Sequence, residues 1–343
     1  MRKNIINTIY FNERRKNMRA KRIISIIAML ILLCGCGTKQ EDFPRSGKPL
    51  VIATIFPQYD FLRQICGDRA DVRMLIRPGS ESHSYDPSPT DIITISHAAL
   101  FVYAGGESDA WVKKLLQSDE LSDVTSVALT DLVPTVAEEI TEGMQHSHAH
   151  VENDGHRDDE NGSHEHELEY DEHVWTSPKN AAIICNRLCE YMCAADEKNA
   201  DLYKENCKNY VEKINRIDAL AADAVKNAAR KTIVFADRFP VRYFTEEYGL
   251  KYYAAFPGCA SETEPSPSTL IFLIDKVHSD DIPVVFYREF SNEKVADLVC
   301  ESTNAKKLLF HSCHNVTADE FDAGVTYVDI MQNNVNNLKE ALN

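Results

Sequence analysis

The chain has 343 residues, and its 37 basic and 53 acidic side chains give a net charge of −16. That balance repels nucleic acid and favours cations. The N-terminus has the layout of a secretory signal: a basic region closing on RRKNMRAKR, the apolar run IISIIAMLILL, then CGCG. The apolar run is too short for a comfortable membrane span.

The end of that run, Leu33-Cys34-Gly35-Cys36, resembles a bacterial lipobox. Cleavage after residue 35 leaves Cys36 as a lipid-modified N-terminus, with residues 36–48 as a flexible tether. Met18 is an alternative start that leaves this reading unchanged. Removing residues 1–35 takes away eight basic residues and one acidic one, leaving 29 against 52 and a net charge of −23. The expected location is extracytoplasmic, anchored to a membrane face by the lipidated cysteine.

The mature fold begins at KPLVIATIF, where residues 50–55 form an apolar run bounded by Pro57 and read as a buried strand. A helix over 57–67 and a strand over 71–76 follow, the latter ending at Pro78-Gly79. A short helix is expected over 89–96, then the strand ALFVYAG, the helix DAWVKKLLQS and the strand VTSVALT. TSPKNAAIICNRLCEYMCAAD is a well-signed helix, capped by Thr176 or Ser177 with Pro178 in its first turn. Residues 196–230 predict a helix of about 50 Å at 1.5 Å per residue, long enough to join two domains. Beyond it KTIVFA, PVRYFTEEYG, LKYYAAF, PSTLIFLIDKVHSD, PVVFY, SNEKVADLVCEST, KKLLF and VTYVDIMQNNVNNLKEAL alternate strand and helix again. The expected fold class is α/β, as two domains each with a central, mostly parallel sheet flanked by helices. They span 49–195 and 231–343, are joined by one long rigid helix, and hold a metal site in the cleft between them.

Histidine placement points to that metal. Six of the twelve histidines (His146, His148, His150, His156, His164 and His166) fall in a polar stretch within 141–169, laced with Asp, Glu, Asn and Gly. Such a segment is a metal-attracting loop, and imidazole with carboxylate suits Zn2+ better than Ca2+ or Mg2+. Polar residues just past strand ends mark the cleft of an open α/β sheet. They include His83 in PGSESHSYDPSPTD, Asp237 and Arg238 in VFADRFP, and His311 and His314 in FHSCHNV. His173 in YDEHVWTSP, Glu262 and Glu264 in GCASETEPS, and Glu289 in FYREF join them. A zinc site filled by four protein ligands leaves no position for an activated water, and the chain has no HExxH run, so binding is favoured over hydrolysis. Of the ten cysteines, Cys185, Cys189 and Cys193 recur on one helical face and read as core packing. His97 and His278 read as surface or packing residues, and Trp175 as a wall holding the His173 loop.

These marks resemble the extracellular solute-binding lipoproteins of zinc and manganese ABC importers, cluster A-I or cluster 9. They are PGSESHSYDPSPTD, YAGGESDAW, the His-rich loop, YDEHVWTSP, the long helix, YFTEEYGL and TYVDIMQNNVNNL. The similarity covers essentially the whole mature chain and is nearest the zinc-directed members that carry such a loop. It implies a monomeric receptor, not an enzyme, that captures Zn2+ and delivers it to a membrane permease. The resemblance makes His83 and His173 the first two ligands and assigns the loop to zinc gathering. Where family members have a histidine before YGL, this chain has VFADRFP. Ala236 or Arg238 takes its place, an arginine cannot ligate, and Asp237 is the nearest usable group. His311 is the fourth ligand, with His314 and Glu262 in reserve. The resemblance also implies a Cys259–Cys313 disulfide; the rival reading makes Cys313 or Cys259 itself a thiolate ligand. Alternatives are a receptor for Mn2+ or Fe2+, favoured by an aspartate ligand, and a surface adhesin.

Overall fold

The computed structural model describes residues 47–81, 85–117, 121, 123–144, 170–260 and 264–343. Cys36, His83, Glu262 and the six loop histidines lie outside them.

Strands β1 (Leu50–Ala53), β2 (Asp71–Met74), β3 (Leu100–Tyr103) and β4 (Ser126–Ala128) form one parallel sheet in the order β2-β1-β3-β4. Helices α1 (Phe56–Cys66), α2 (Pro89–Ser96) and α3 (Ala110–Leu115) make its crossovers. Helix α4 (Pro178–Ala195) and the long α5 (Ala200–Lys226) lead to the second lobe. There β5 (Thr232–Phe239), β6 (Lys251–Pro257), β7 (Val284–Tyr287) and β8 (Lys306–Leu309) pair in parallel as β6-β5-β7-β8, the same order again. Helices α6 (Arg242–Tyr248), α7 (Pro267–Ser279), α8 (Lys294–Glu301), α9 (Ala318–Asp322) and α10 (Tyr327–Ala341) complete it. In each sheet the order reverses beside the first strand, which opens a crevice at the strands' carboxyl ends.

Sequence explains much of this. β1 is fully buried, as a central strand covered on both faces requires. Ser177 accepts a hydrogen bond from the Asn180 amide and Pro178 fills the first turn, so α4 starts where a cap and a preset φ coincide. Helix α5 buries Tyr203, Cys207, Tyr210, Ile214, Ile217, Ala221 and Ala224, alternating steps of four and three that make one apolar seam. Its 27 residues correspond to about 40 Å.

That seam packs against α1, α4 and α10, so one hydrophobic core runs from Val51 in the first sheet to Phe235 and Phe286 in the second. Polar anchors fix the seam. Buried Asp60 on α1 accepts hydrogen bonds from the Tyr210 hydroxyl and, at 2.8 Å, from the Tyr327 amide. Burial pushes its carboxyl above the usual range, against the pull of Arg63. The Trp175 indole donates to the Ser312 carbonyl at 2.8 Å, and the Tyr327 hydroxyl donates to the Trp175 carbonyl at 2.8 Å. Cys185, Cys189 and Cys207 are buried within this packing; burial raises the Cys185 thiol, and the hydrogen bond with Cys207, then burial, raises that of Cys189, which disfavours thiolate.

Strand β5 departs from expectation. β5 does not stop at Ala236 but continues through Phe239, with a register shift between Phe235 and Arg238 against β6. Asp237 and Arg238 therefore occupy an irregular part of the strand itself, not a loop beyond it. Such bulges re-aim side chains at sheet rims.

Candidate metal centre

The chain enters α4 through Asp171, Glu172 and His173. The Asp171 carboxylate accepts from the His173 amide at 2.8 Å and from His173 Nδ1 at 3.0 Å. A carboxylate only accepts, so the proton sits on Nδ1 and the Nε2 lone pair is left to bind. His173 is 1 % exposed, with its ring 5.4 Å from Trp175 and 5.6 Å from His314. Trp175 is the wall the sequence suggested. Burial disfavours a charged imidazole, but Asp171, with Glu172 and Glu138, outweighs it and holds His173 above its ordinary range.

Glu172 is fully buried. Its Oε2 accepts from the Ser108 amide at 3.0 Å, while Oε1 has no hydrogen-bond partner among the described residues. Gly106 permits this approach, since a Cβ there would run into the Glu172 side chain. From the second lobe, the turn after β6 brings Cys259. One ligand atom each from Glu172, His173 and Cys259 lies within 4.8 Å of the other two. Gly258 allows that turn to close in, because a Cβ there would lie 2.9 Å from the Phe239 carbonyl and 3.3 Å from the His173 ring.

The surroundings are strongly acidic. Burial, followed by Glu172, Asp171, Glu138 and Glu107, raises the Cys259 thiol well above its ordinary value. Asp109 is pushed up to about 7 by burial and the neighbouring Glu172, against hydrogen bonds from the Ala104 and Gly105 amides and Thr54. An orphaned buried carboxylate oxygen, an imidazole aimed by a carboxylate, and a thiol form an O, N and S set suited to a borderline-soft divalent ion.

Neither Asp237 nor His311 joins His173 in a metal-ligating group among the described residues. Asp237 accepts from the Arg238 amide at 2.8 Å and the Arg288 amide at 3.4 Å, and pairs with Arg288 Nε at 3.5 Å. Its carboxylate is held by two backbone amides and faces the Arg288 side chain without a hydrogen bond from its Nε. His311 Nδ1 accepts from the Cys313 amide at 2.9 Å, which places the neutral ring's proton on Nε2 and leaves that nitrogen a donor. Asn334 clamps the His311 backbone from both sides, at 2.8 and 2.7 Å. Glu289 holds the same turn through the Ser312 amide and hydroxyl. His311 thus shapes a turn. His314 is the second-lobe histidine that reaches the cleft, packed edge-on against His173 and Trp175.

The implied Cys259–Cys313 disulfide is not formed; both residues are free thiols. Cys313 is fully buried in the core at φ 63°, whereas the Cys259 sulfur faces the Glu172–His173 cluster. The sequence signal for Glu172 was its place beside His173 in YDEHVWTSP. For Cys259 the sequence offers a thiolate ligand only as the rival to a disulfide, because its contact with that motif depends on how the second lobe packs.

Two parallel α/β lobes are thus held on a long helix, with a cation-type cluster between them. Comparison with known proteins gives the family. A family model described as ZnuA, zinc-uptake complex component A periplasmic, matches residues 51–341, and the chain belongs to that family. It is 29% identical over 320 residues to the high-affinity zinc uptake system protein ZnuA of Bacillus subtilis, covering 92% of this chain and 96% of that one. It is 27% identical over 319 residues to the zinc-binding lipoprotein AdcA of Streptococcus pneumoniae. That match covers 93% of this chain and 60% of AdcA, so the chain spans well under the whole of that relative. The crystal structure of the Zn(II)-bound ZnuA-like domain of AdcA is similar with a TM-score of 0.68 at 26% identity, covering 86% of this chain and 99% of that domain.

Proposed function

We propose that this protein is an extracytoplasmic receptor that captures Zn2+ in its interdomain cleft and passes it to the membrane permease of an ABC importer. It performs no chemistry on the ion. The observation that carries this reading is the buried Glu172, with one carboxylate oxygen lacking a hydrogen-bond partner, beside His173 and Cys259. The zinc named in the descriptions of the B. subtilis and S. pneumoniae relatives supports it.

In this proposal His173, Glu172 and Cys259 hold the ion, and His83 completes a four-ligand set, as the resemblance implies. Asp237 and His311 are left out for the reasons their hydrogen bonds give. A sulfur ligand favours zinc over manganese, since soft donors suit borderline ions and Mn2+ prefers oxygen. The histidines at 146–166 gather zinc for the cleft, and Cys36 carries the lipid that tethers the receptor. The continuous core between the lobes favours release by small adjustments when the permease docks, in place of a wide hinge opening.

Competition with a fluorescent zinc chelator tests this, using the chain from residue 36 with Cys36→Ser. One tightly held zinc, lost in both His173→Ala and His83→Ala, supports the proposal. Manganese held in preference to zinc would overturn it.

A further inference from the structure

The crevice of the second sheet has the opposite chemistry to the metal centre. Arg238 lies at the carboxyl end of β5 and Arg288 just beyond β7, on either side of the point where the strand order reverses. Such switch points are where open α/β sheets bind ligands. Both side chains are largely buried, 9 % and 11 % exposed. Together with Glu81, Asp237, Ser291 and Asn292 they line a cavity of about 150 Å³.

Two buried guanidiniums side by side are costly unless anions satisfy them, and the anions present do so poorly. Arg238 stands 3.7 Å and Arg288 3.6 Å from Glu81, beyond hydrogen-bonding distance. Arg288 Nε is buried and makes no hydrogen bond among the described residues, although Asp237 lies 3.5 Å away. Burial and then the neighbouring Arg288 both disfavour the charge on Arg238. Glu81 is 39 % exposed, so its carboxylate is a displaceable occupant.

We propose that Arg238 and Arg288 form a second binding site in the cleft, for a small dicarboxylate anion that takes the place of Glu81. Planar guanidinium forks match carboxylates two-point, and two arginines offer one fork to each end of a dicarboxylate. The cavity volume limits the ligand to a few heavy atoms. Glu81 comes from the first lobe and the two arginines from the second, so the anion would sit in the same cleft as the proposed zinc. The receptor would then hold a small anion in the same cleft as its cation cargo, without the anion joining the metal's four protein ligands. That last step rests on the proposed function; anion binding does not.

The experiment is isothermal titration calorimetry of malonate into zinc-free protein, with inorganic phosphate as the comparison. Saturable malonate binding is expected, weakened at least about tenfold in both Arg238→Gln and Arg288→Gln. Glu81→Gln, at a half-exposed position that should not disturb folding, is expected to tighten binding several-fold by removing the internal competitor. Three results would each overturn the assignment: no saturable binding in the wild type and Glu81→Gln, undiminished binding in the arginine variants, or phosphate bound more tightly than malonate. Zinc titration of the same samples separates the two readings. Malonate binding without zinc binding would sink the proposed function and leave this inference standing, and the reverse result would do the opposite.

Discussion

The two lobes repeat one strand order, yet the crevices at their switch points are chemically opposite. Beside β1 and β3 the chain gathers Asp109 and Glu172, with His173 and Cys259 closing over them. Beside β5 and β7 it places Arg238 and Arg288. The shared topology fixes where a ligand can sit, and a few residues at strand ends decide its charge. Acidic and basic crevices in one cleft suit a cation on one side and an anion on the other.

The largest expected effect comes from breaking the cation side. Replacing Glu172 by Gln keeps its shape and its acceptor for the Ser108 amide but removes the charge. Zinc affinity by chelator competition should fall by about two orders of magnitude, a few kcal/mol of lost charge–metal attraction. An unchanged affinity would show that Glu172 belongs to the acidic surroundings and not to the ligand set. Trp175→Ala should be comparably severe for stability. It removes a fully buried indole and its hydrogen bond to Ser312, with an expected cost of about 3–5 kcal/mol in denaturant unfolding.

Acidity sharpens the comparison next. His173 is held above its ordinary value, so the metal-free protein binds a proton there at pH values above about 6.5. Zinc must displace that proton, and affinity should begin to fall as pH drops through the raised pKa. Stability of the metal-free protein has the opposite sign. The protonated His173–Asp171 pair contributes fully below the unfolded-state pKa, and that contribution is lost as pH rises through the folded one. Asp171→Asn should move both transitions to lower pH and weaken zinc by about 10- to 100-fold, the usual cost of losing a partner that orients a ligand. Thermal unfolding and zinc titration across pH 5–8 read both. The smallest effect is expected from deleting residues 145–169, which should leave cleft affinity within about threefold while removing additional weak zinc sites.

Much of the fold could be read from local features. The apolar run at 50–55, the Ser177-Pro178 start of α4 and the four–three spacing along α5 each depend on residues within a few positions of one another, where propensity and burial agree. His173 was legible because an imidazole beside acidic residues and a helix cap form a compact motif. Asp237 lies within β5 and not just past its end, because the continuation of β5 through the bulge depends on pairing with β6, which the run VFADRFP does not encode by itself. His311 looked like a ligand by residue type, and only its Nδ1 hydrogen bond to the Cys313 amide assigns it to a turn. Cys259 and Glu172 are far apart in the chain and meet through packing between lobes. The helix α9, with its Thr317 and Glu320 capping box, was present in the sequence as TADE and passed unrecognised.

The central claim is that zinc sits between the lobes on His173, Glu172 and Cys259. Zinc-edge X-ray absorption of the Cys36→Ser chain from residue 36, lacking residues 145–169, tests it directly. The account predicts one zinc with a single sulfur scatterer among nitrogen and oxygen neighbours, and loss of that sulfur in Cys259→Ser. A shell of nitrogen and oxygen alone in the unsubstituted protein, with Cys259 and Cys313 joined as a disulfide, would contradict it.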